Sequence, residues 1–183
     1  MNDNQLDGCH IQEQPSGLLV ATPKVHIGGV YDIICRNRDG SIAWQEIFHN
    51  GVTNVFLNHM LGATLDAEAQ ITTWYLGLVD NASFSAFAAG DTMSSHAGWI
   101  EMVAYSESVR QTWNPTVASQ SAANASRAVF TANATKTVKG AFLTSSSTKS
   151  GTTGTLGPTG AFPSTHDVVN GQTLEIIYTI SAA

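Results

Sequence analysis

Apolar and polar residues alternate along several short stretches of this chain. The pattern is clearest near the end, where Leu174, Ile176, Tyr178 and Ile180 occupy every second position after an Asn-Gly pair. Side chains two residues apart lie on the same face of a strand. The spacing therefore predicts a strand with one buried face, preceded by a turn.

A hairpin is predicted earlier in the chain. Two apolar stretches, residues 30–36 and 41–48, flank the pair Asp39-Gly40. Asp-Gly is typical of tight β-turns because glycine tolerates a positive φ angle. Cys35 falls in the first strand, where we expect a buried, reduced thiol. Further strands are predicted at residues 71–79, 99–105, 127–131 and 137–143.

One segment has helical rather than strand spacing. Apolar residues between Val52 and Leu65 recur every three or four positions, which predicts an amphipathic helix. We expect it to be the only substantial helix. Many short strands and one helix predict a mainly β protein, a β-sandwich or a jelly-roll or barrel-like fold with the helix packed on it.

The remaining segments are polar or rich in turn residues. Residues 1–28 are predicted to be an extended N-terminal arm, and residues 29–183 the β-rich domain. Residues 106–125 are expected to be a polar connection. Residues 144–155, dominated by Ser and Thr, are expected to form a long flexible or partner-facing loop. Residues 156–162, with two glycines and a proline, are predicted to be irregular.

Charge limits the classes of partner. Only 12% of the residues are charged, the formal net charge is −6, and no basic cluster occurs. Nucleic acids and anionic membranes attract clustered Lys and Arg, so we expect neither as a partner. A signal-peptide core and a membrane-spanning stretch are not evident. The uncharged surface suits either a secreted or cell-surface β domain or a subunit of a larger assembly.

Residues with catalytic or metal-binding chemistry are present but poorly arranged. Known nucleophile, phosphate-binding and metalloprotease motifs do not occur. Asp91 to His96 and the pair His166-Asp167 are weak catalytic candidates, since catalytic triads unite distant segments. Cys9, His10, His26 and Cys35 lack zinc-site spacing. We therefore predict no enzymatic activity, no metal and no cofactor.

Candidate partner-binding residues lie in two places. The apolar run Leu18, Leu19 and Val20 interrupts the polar arm and could add as a strand to a neighbouring sheet. Trp113 and Asn114 lie in a polar stretch, where an exposed Trp would serve as an interface anchor. The tryptophans at 44, 74 and 99 lie in apolar patterns and are expected in the core.

Scattered motifs over residues 29–181 resemble a known group of proteins. The motifs are Val30-Tyr31-x₃-Cys35-Arg36-x₂-Asp39-Gly40-x₃-Trp44-x-Glu46-x-Phe48-x-Asn50, Trp74-Tyr75-Leu76-Gly77-Leu78, Asp91-Thr92-Met93-x₂-His96-Ala97-Gly98-Trp99-x-Glu101, Lys139-Gly140-Ala141-Phe142-Leu143, Gly151-Thr152-Thr153-Gly154-Thr155-Leu156 and Gly171-x-Thr173-Leu174-x₃-Tyr178. They resemble small virion structural proteins of tailed bacteriophages.

This resemblance implies a virion component made in the host cytoplasm. The role it favours is a capsid decoration, or cement, protein on the capsid surface, whose partners are the major capsid protein and further copies of itself in dimers or trimers. A phage tail component (tube, tip or fibre-associated subunit) with tail proteins as partners is an alternative. A host-glycan-binding module using Trp113 is another, and a hydrolase acting on the cell envelope is the least favoured.

Overall fold

Two antiparallel β-sheets pack face to face in this protein. The structure, a computed structural model, describes the backbone of residues 9–13 and 19–23 and the whole of residues 25–183. The strands are β1 (Cys9–Glu13), β2 (Leu19–Pro23), β3 (Ile27–Arg36), β4 (Ile42–His49), β5 (Trp74–Asp80), β6 (Ile100–Met102), β7 (Gln111–Trp113), β8 (Pro115–Ala118), β9 (Ser121–Asn124), β10 (Ala128–Thr131), β11 (Lys136–Thr144), β12 (Leu156–Val168) and β13 (Thr173–Ala182), and the helix in the described residues is α1 (Asn54–Leu65).

The strands divide into a small hairpin and two larger sheets. Sheet I has the order β4-β3-β13-β9-β8, with β10 also paired to β13. Sheet II has the order β12-β11-β5-β6, with β7 also paired to β5. Strands β1 and β2 pair with each other. The sequence-based prediction of a mainly β sandwich with one helix is confirmed.

The main core lies between the two sheets. Sheet I contributes Tyr31, Ile33 and Cys35 from β3, and sheet II contributes Leu76 and Leu78 from β5. All five side chains are fully buried. The alternation predicted for the last strand identified its buried face correctly, because every second side chain of β13 points toward the opposite sheet.

A second, smaller core covers the outer face of sheet II. Phe142 and Val79 project from the sheet and meet Trp99 and Met93, which lie in or next to the 81–99 connection. Helix α1 adds Val55 to this cluster. The molecule therefore has a third layer, in which α1 and the 81–99 connection shield apolar side chains of sheet II from water.

The structure differs from the sequence-based predictions in several segments. Residues 106–125 contain β7, β8 and β9 rather than a plain connection. Residues 156–162 form the first half of β12, which tolerates Pro158 because β12 is an edge strand of sheet II. The strand predicted at 99–105 is only Ile100–Met102. Strand β3 begins inside the predicted arm, with Ile27 opposite Ala182.

Candidate interaction surface

A groove opens between helix α1 and one end of sheet I. Its volume is about 330 Å³, and none of the side chains that line it is Asp, Glu, Lys or Arg. Helix α1 contributes Phe56 and Met60, and sheet I contributes Ile27, Val117 and Ile180. An uncharged, largely apolar groove at the surface is typical of a protein-binding site, because little desolvation opposes contact there.

The N-terminus of α1 is fixed to sheet II. The hydroxyl of Thr53 accepts a hydrogen bond from the Phe56 amide, which caps the helix, and donates to the carbonyl of Leu156 at 2.6 Å. The ring of Phe56 packs edge-on against Trp74, with ring centroids 5.3 Å apart. Thr53 and Phe56 are both buried, so this wall of the groove is held rigidly.

His59 is the ionisable side chain that lines the groove. Its Nδ1 lies 2.8 Å from a carboxylate oxygen of Glu68, and its Nε2 accepts a hydrogen bond from the Ile71 amide at 3.4 Å. Both ring nitrogens have partners within the chain, which leaves His59 a structural role.

Among the strands that the structure describes, β8 is an edge of sheet I and lies next to the groove. Its four residues are all exposed, and 76% of Val117 is accessible to water. The β8–β9 turn consists of Ser119 and Gln120, which both have positive φ angles, 51° and 63°. This is the two-residue hairpin geometry in which the flanking residues, Ala118 and Ser121, form a hydrogen-bonded pair. Alternation then directs the amide and carbonyl of Val117 away from β9, toward solvent.

Backbone hydrogen bonds join this edge to both ends of the domain. The Ala182 amide donates to the carbonyl of Gln120 at 3.0 Å. His26 and Ala183 exchange two backbone hydrogen bonds, of 2.6 and 2.9 Å. The turn of the β8–β9 hairpin, the end of β13 and the start of β3 thus lie side by side along the rim of the groove.

The predicted partner-binding residues lie in different parts of the structure. The indole of Trp113 is buried in the main core, where its Nε1 donates to the carbonyl of Tyr178 at 3.0 Å. An exposed anchor at Trp113 is therefore not what the structure shows; Asn114, next to it, is exposed. Leu18 lies outside the described residues. The backbones of Leu19 and Val20 belong to β2, opposite Glu13 and Gln12.

The candidate residues between Asp91 and His96 have structural partners. A carboxylate oxygen of Asp91 accepts hydrogen bonds from the Trp99 indole and the Ala88 amide, both at 3.0 Å. The ring of His96 stacks on Trp99, with centroids 4.0 Å apart, and its Nδ1 contacts the Trp99 carbonyl. These contacts hold the 81–99 connection on sheet II.

His166 and Asp167 face different neighbours, as expected for adjacent strand residues. His166 Nε2 lies 2.8 Å from Glu46 and its ring stacks on Trp44, while Asp167 accepts a hydrogen bond from Thr137. The His166–Glu46 contact joins an edge of sheet I to an edge of sheet II.

The candidate zinc ligands do not form a cluster in the described part of the chain. Cys35 is fully buried and its Sγ lies 3.5 Å from the side-chain oxygen of Gln172. The side chains of Cys9 and His10 lie outside the described residues. Among the side chains that the structure describes, no group of three His, Cys, Asp or Glu could hold a metal ion.

The Ser/Thr-rich loop is held against the domain. Arg110 donates to the carbonyl of Ser146, and Glu101 accepts from the Ser150 amide at 2.7 Å. Lys149 donates to the carbonyls of Tyr105 and Glu107. The segment predicted to be a long flexible or partner-facing loop is the connection between β11 and β12, and its backbone is bound by Arg110 and Glu101, which lie far away in sequence.

Comparison with known proteins gives no relative to guide the functional assignment. No protein-family profile matches this chain, and no curated protein matches its sequence. Among the residues that the structure describes, no helix combines the length and apolar character needed to cross a lipid bilayer.

The groove and the β8 edge were missed by sequence reasoning. Val117 was assigned to a polar connection, although Pro115, the apolar Val117 and the pair Ala122-Ala123 flank a short polar turn. That arrangement is a weak hairpin signal. It was overlooked because Ser-Gln is not a usual sequence for a two-residue turn.

Proposed function

We propose that this chain is a structural subunit of a tailed-bacteriophage virion, acting as a capsid decoration or cement protein that binds and stabilises the assembled shell. The observation that carries the proposal is the uncharged groove beside the open edge of β8. An apolar groove and unpaired strand groups are features through which proteins bind other proteins.

The basic side chains support a protein rather than a nucleic-acid partner. Arg36, Arg110, Arg127 and Lys136 pair with carboxylates of the same chain. The other Lys and Arg side chains of residues 25–183 donate to backbone carbonyls: Arg38, Lys139 and Lys149. Binding to phosphates depends on basic groups that displace counterions, and these groups already have partners.

The mechanism of such a protein is mass action. A molecule that binds the assembled shell but not its separated subunits stabilises the shell by an amount that grows with its affinity and its free concentration. Many copies that each contact the shell and one another act together, so modest single contacts give strong retention. The motif resemblance of residues 29–181 to virion proteins favours the capsid as the partner.

A tail component is the alternative that shares this physical basis. A tube subunit needs a long hairpin that inserts into its neighbour, and residues 144–155 were the candidate segment. Arg110 and Lys149 bind that segment to its own domain, which favours the capsid role. The glycan-binding alternative required an exposed Trp113, whose burial removes its main support.

The test is to mix purified protein with bare capsid shells and with isolated tails of the proposed particle. We expect the protein to co-sediment with shells, to appear as density on their outer surface and to raise the temperature at which shells break down. Shells already saturated with the protein serve as the control. Binding to tails without binding to shells would contradict the capsid role and support the tail alternative.

A further inference from the structure

We infer that the open edge of β8 receives strand β2 (Leu19–Pro23) from a neighbouring copy of this chain, which extends sheet I across the interface. This inference deepens the proposed function by naming the contact that joins one copy to the next. The biological role of the contact rests on the proposed function. The contact itself does not, because self-association can be measured on the purified chain.

The two strands match in chemistry. Neither Leu19–Pro23 nor Pro115–Ala118 contains a charged residue. The amide and carbonyl of Val117 point to the open side, where an added strand would pair with them. Edge strands of stable monomers are often protected by charges or coverage, and β8 has Pro115 at its start but no charged side chain. The groove beside Val117 would receive apolar side chains of the added strand.

Strand β2 also has an unused edge. It pairs with β1 alone in the described residues, in a two-stranded hairpin. Isolated two-stranded hairpins are marginally stable in water, so pairing with a larger sheet would stabilise this one. A strand added at an edge gains backbone hydrogen bonds along its whole length.

The chain's own β2 cannot reach the outer side of β8. Just before the start of β3, His26 is bound to Ala183, so only three Cα steps separate this fixed point from Pro23. Three extended residues span about 11 Å. A strand beside β8 lies four positions from β3 in sheet I, a distance of about 19 Å at the usual strand spacing. The β2 that occupies this edge must therefore come from another copy.

Each copy both supplies β2 and offers β8. Such an exchange either closes between two copies related by a two-fold axis or continues from copy to copy around a ring. In both cases the contact requires one donor strand and one acceptor edge at each interface. One variant can therefore carry a defective donor strand β2 and another a defective acceptor edge β8. Mixing the two variants tests whether the contact needs only one intact strand and one intact edge.

The acceptor variant is Val117→Pro. Proline removes the outward-facing amide of Val117 while the β8–β9 hydrogen bonds, made by Thr116 and Ala118, stay intact. Val117→Lys is a second acceptor variant that places a charge on the edge and changes an exposed side chain. The donor variant carries Leu19→Asp and Val20→Asp. Ile47→Lys, at an exposed position of β4 on the opposite edge of sheet I, is the matched control.

The measurement is the mass in solution by light scattering after gel filtration, with circular dichroism to verify the fold. We expect wild type and Ile47→Lys to be oligomers, and both acceptor variants and the donor variant to be folded 19.4 kDa monomers. An equimolar mixture of donor-defective and acceptor-defective chains should restore a dimer, because one intact donor and one intact acceptor are present.

Three results would overturn the inference: a monomeric wild type, folded acceptor variants that remain oligomers, or a mixture of the two defective chains that remains monomeric. If Val117→Pro does not fold, Val117→Lys decides the outcome. Shell binding is measured separately, so wild-type binding to shells without self-association would reject the strand exchange and leave the capsid role standing.

Discussion

The guanidinium of Arg110 and the carboxylate of Glu101 form a two-pronged ion pair inside the protein. Nε and Nη2 of Arg110 lie 2.8 Å from the two carboxylate oxygens. The Arg110 side chain is fully buried and that of Glu101 is 7% exposed. Both also bind the backbone of the 144–155 loop, so the pair fixes the loop that joins β11 to β12.

Removing one partner of this pair should destabilise the fold strongly. Arg110→Met leaves the Glu101 carboxylate buried without a counter-charge, and such changes cost about 3–5 kcal/mol. The free energy of unfolding from urea titrations measures the loss. Arg36→Met is the matched control, because its pair with Glu175 is partly exposed and should contribute only about 0–1 kcal/mol. Equal losses in the two variants would contradict the structural role given to Arg110.

The regular parts of the fold could be predicted from the sequence. In β13 the buried residues Leu174, Ile176 and Tyr178 alternate with half-buried ones. In β3 Tyr31, Ile33 and Cys35 are buried at every second position, and Ile34 between them is buried as well. The apolar residues that recur every three or four positions from Val52 predicted a helix, and its observed start at Asn54 lies two residues later. These elements are predictable because local spacing alone determines which side chains face the core.

Strand β12 could not be predicted, because its stability depends on contacts distant in sequence. Gly160 packs beneath Phe48, and a Cβ there would lie 2.8 Å from that ring. The hydroxyl of Tyr31 donates to the carbonyl of Pro158 at 2.9 Å. Taken alone, Gly160 and Pro158 indicate a turn. In the fold, Gly160 leaves room for Phe48 of sheet I, and the carbonyl of Pro158 binds Tyr31 of sheet I.

The sequence singled out only some residues of the proposed interaction surface. Leu19 and Val20 were recognised from their apolar character within a polar arm. Trp113 was assigned to the surface because its neighbours are polar, yet it lies opposite Trp74 in sheet II and is buried. The groove unites α1, β8 and β13, and no local pattern shows that these segments meet.

Conservative replacement of Trp113 should therefore affect stability. Trp113→Phe removes the Nε1 donor and leaves the buried Tyr178 carbonyl without that bond, at a cost of about 1–3 kcal/mol. Urea unfolding measures this cost. Self-association at a temperature where the variant is folded should equal that of wild type. A folded variant that loses a partner would instead support the surface role first expected for Trp113.

The thiol of Cys35 should be unreactive in the native protein. Burial raises its pKa to about 11, so almost no thiolate exists near neutral pH, and the thiolate is the reactive form. In a Cys9→Ser chain, which leaves Cys35 as the remaining cysteine, a thiol reagent at pH 8 should label the protein only after urea is added. Rapid, complete labelling without urea would show that the core between the sheets opens readily.

Alkaline pH should destabilise the protein through its buried tyrosines. Burial raises the pKa of Tyr31 and of Tyr178, and a charged Tyr178 would raise the pKa of Tyr31 further. In the unfolded chain both ionise near pH 10. Above that pH the unfolded state binds fewer protons than the native state. The free energy of unfolding should then fall by about 1.4 kcal/mol per pH unit for each tyrosine.

Below pH 10 the tyrosines are protonated in both the native and the unfolded state. Their contribution to stability is then fully present, and they do not make the free energy of unfolding depend on pH. Urea titrations between pH 8 and pH 11, a range set by the tyrosine pKa of about 10, measure the effect. Burial also raises the pKa of Tyr105. Tyr178→Phe therefore removes one of three such tyrosines and should reduce the alkaline slope by about a third of the tyrosine share. An unchanged slope in that variant would assign the alkaline instability to other groups.

Gly77 should not tolerate a side chain, because Phe142 lies directly across it. The two residues are partners in the pairing of β5 with β11, and a Cβ on Gly77 would overlap the Phe142 ring. That ring packs against Trp99, with centroids 5.0 Å apart, so moving it disturbs the second core. Overpacking of this kind costs about 1–3 kcal/mol, and we expect Gly77→Ala to lower the urea midpoint accordingly. Gly90→Ala is the matched control: no atom lies within 4 Å of a Cβ at Gly90, and its effect should stay within about 0.5 kcal/mol.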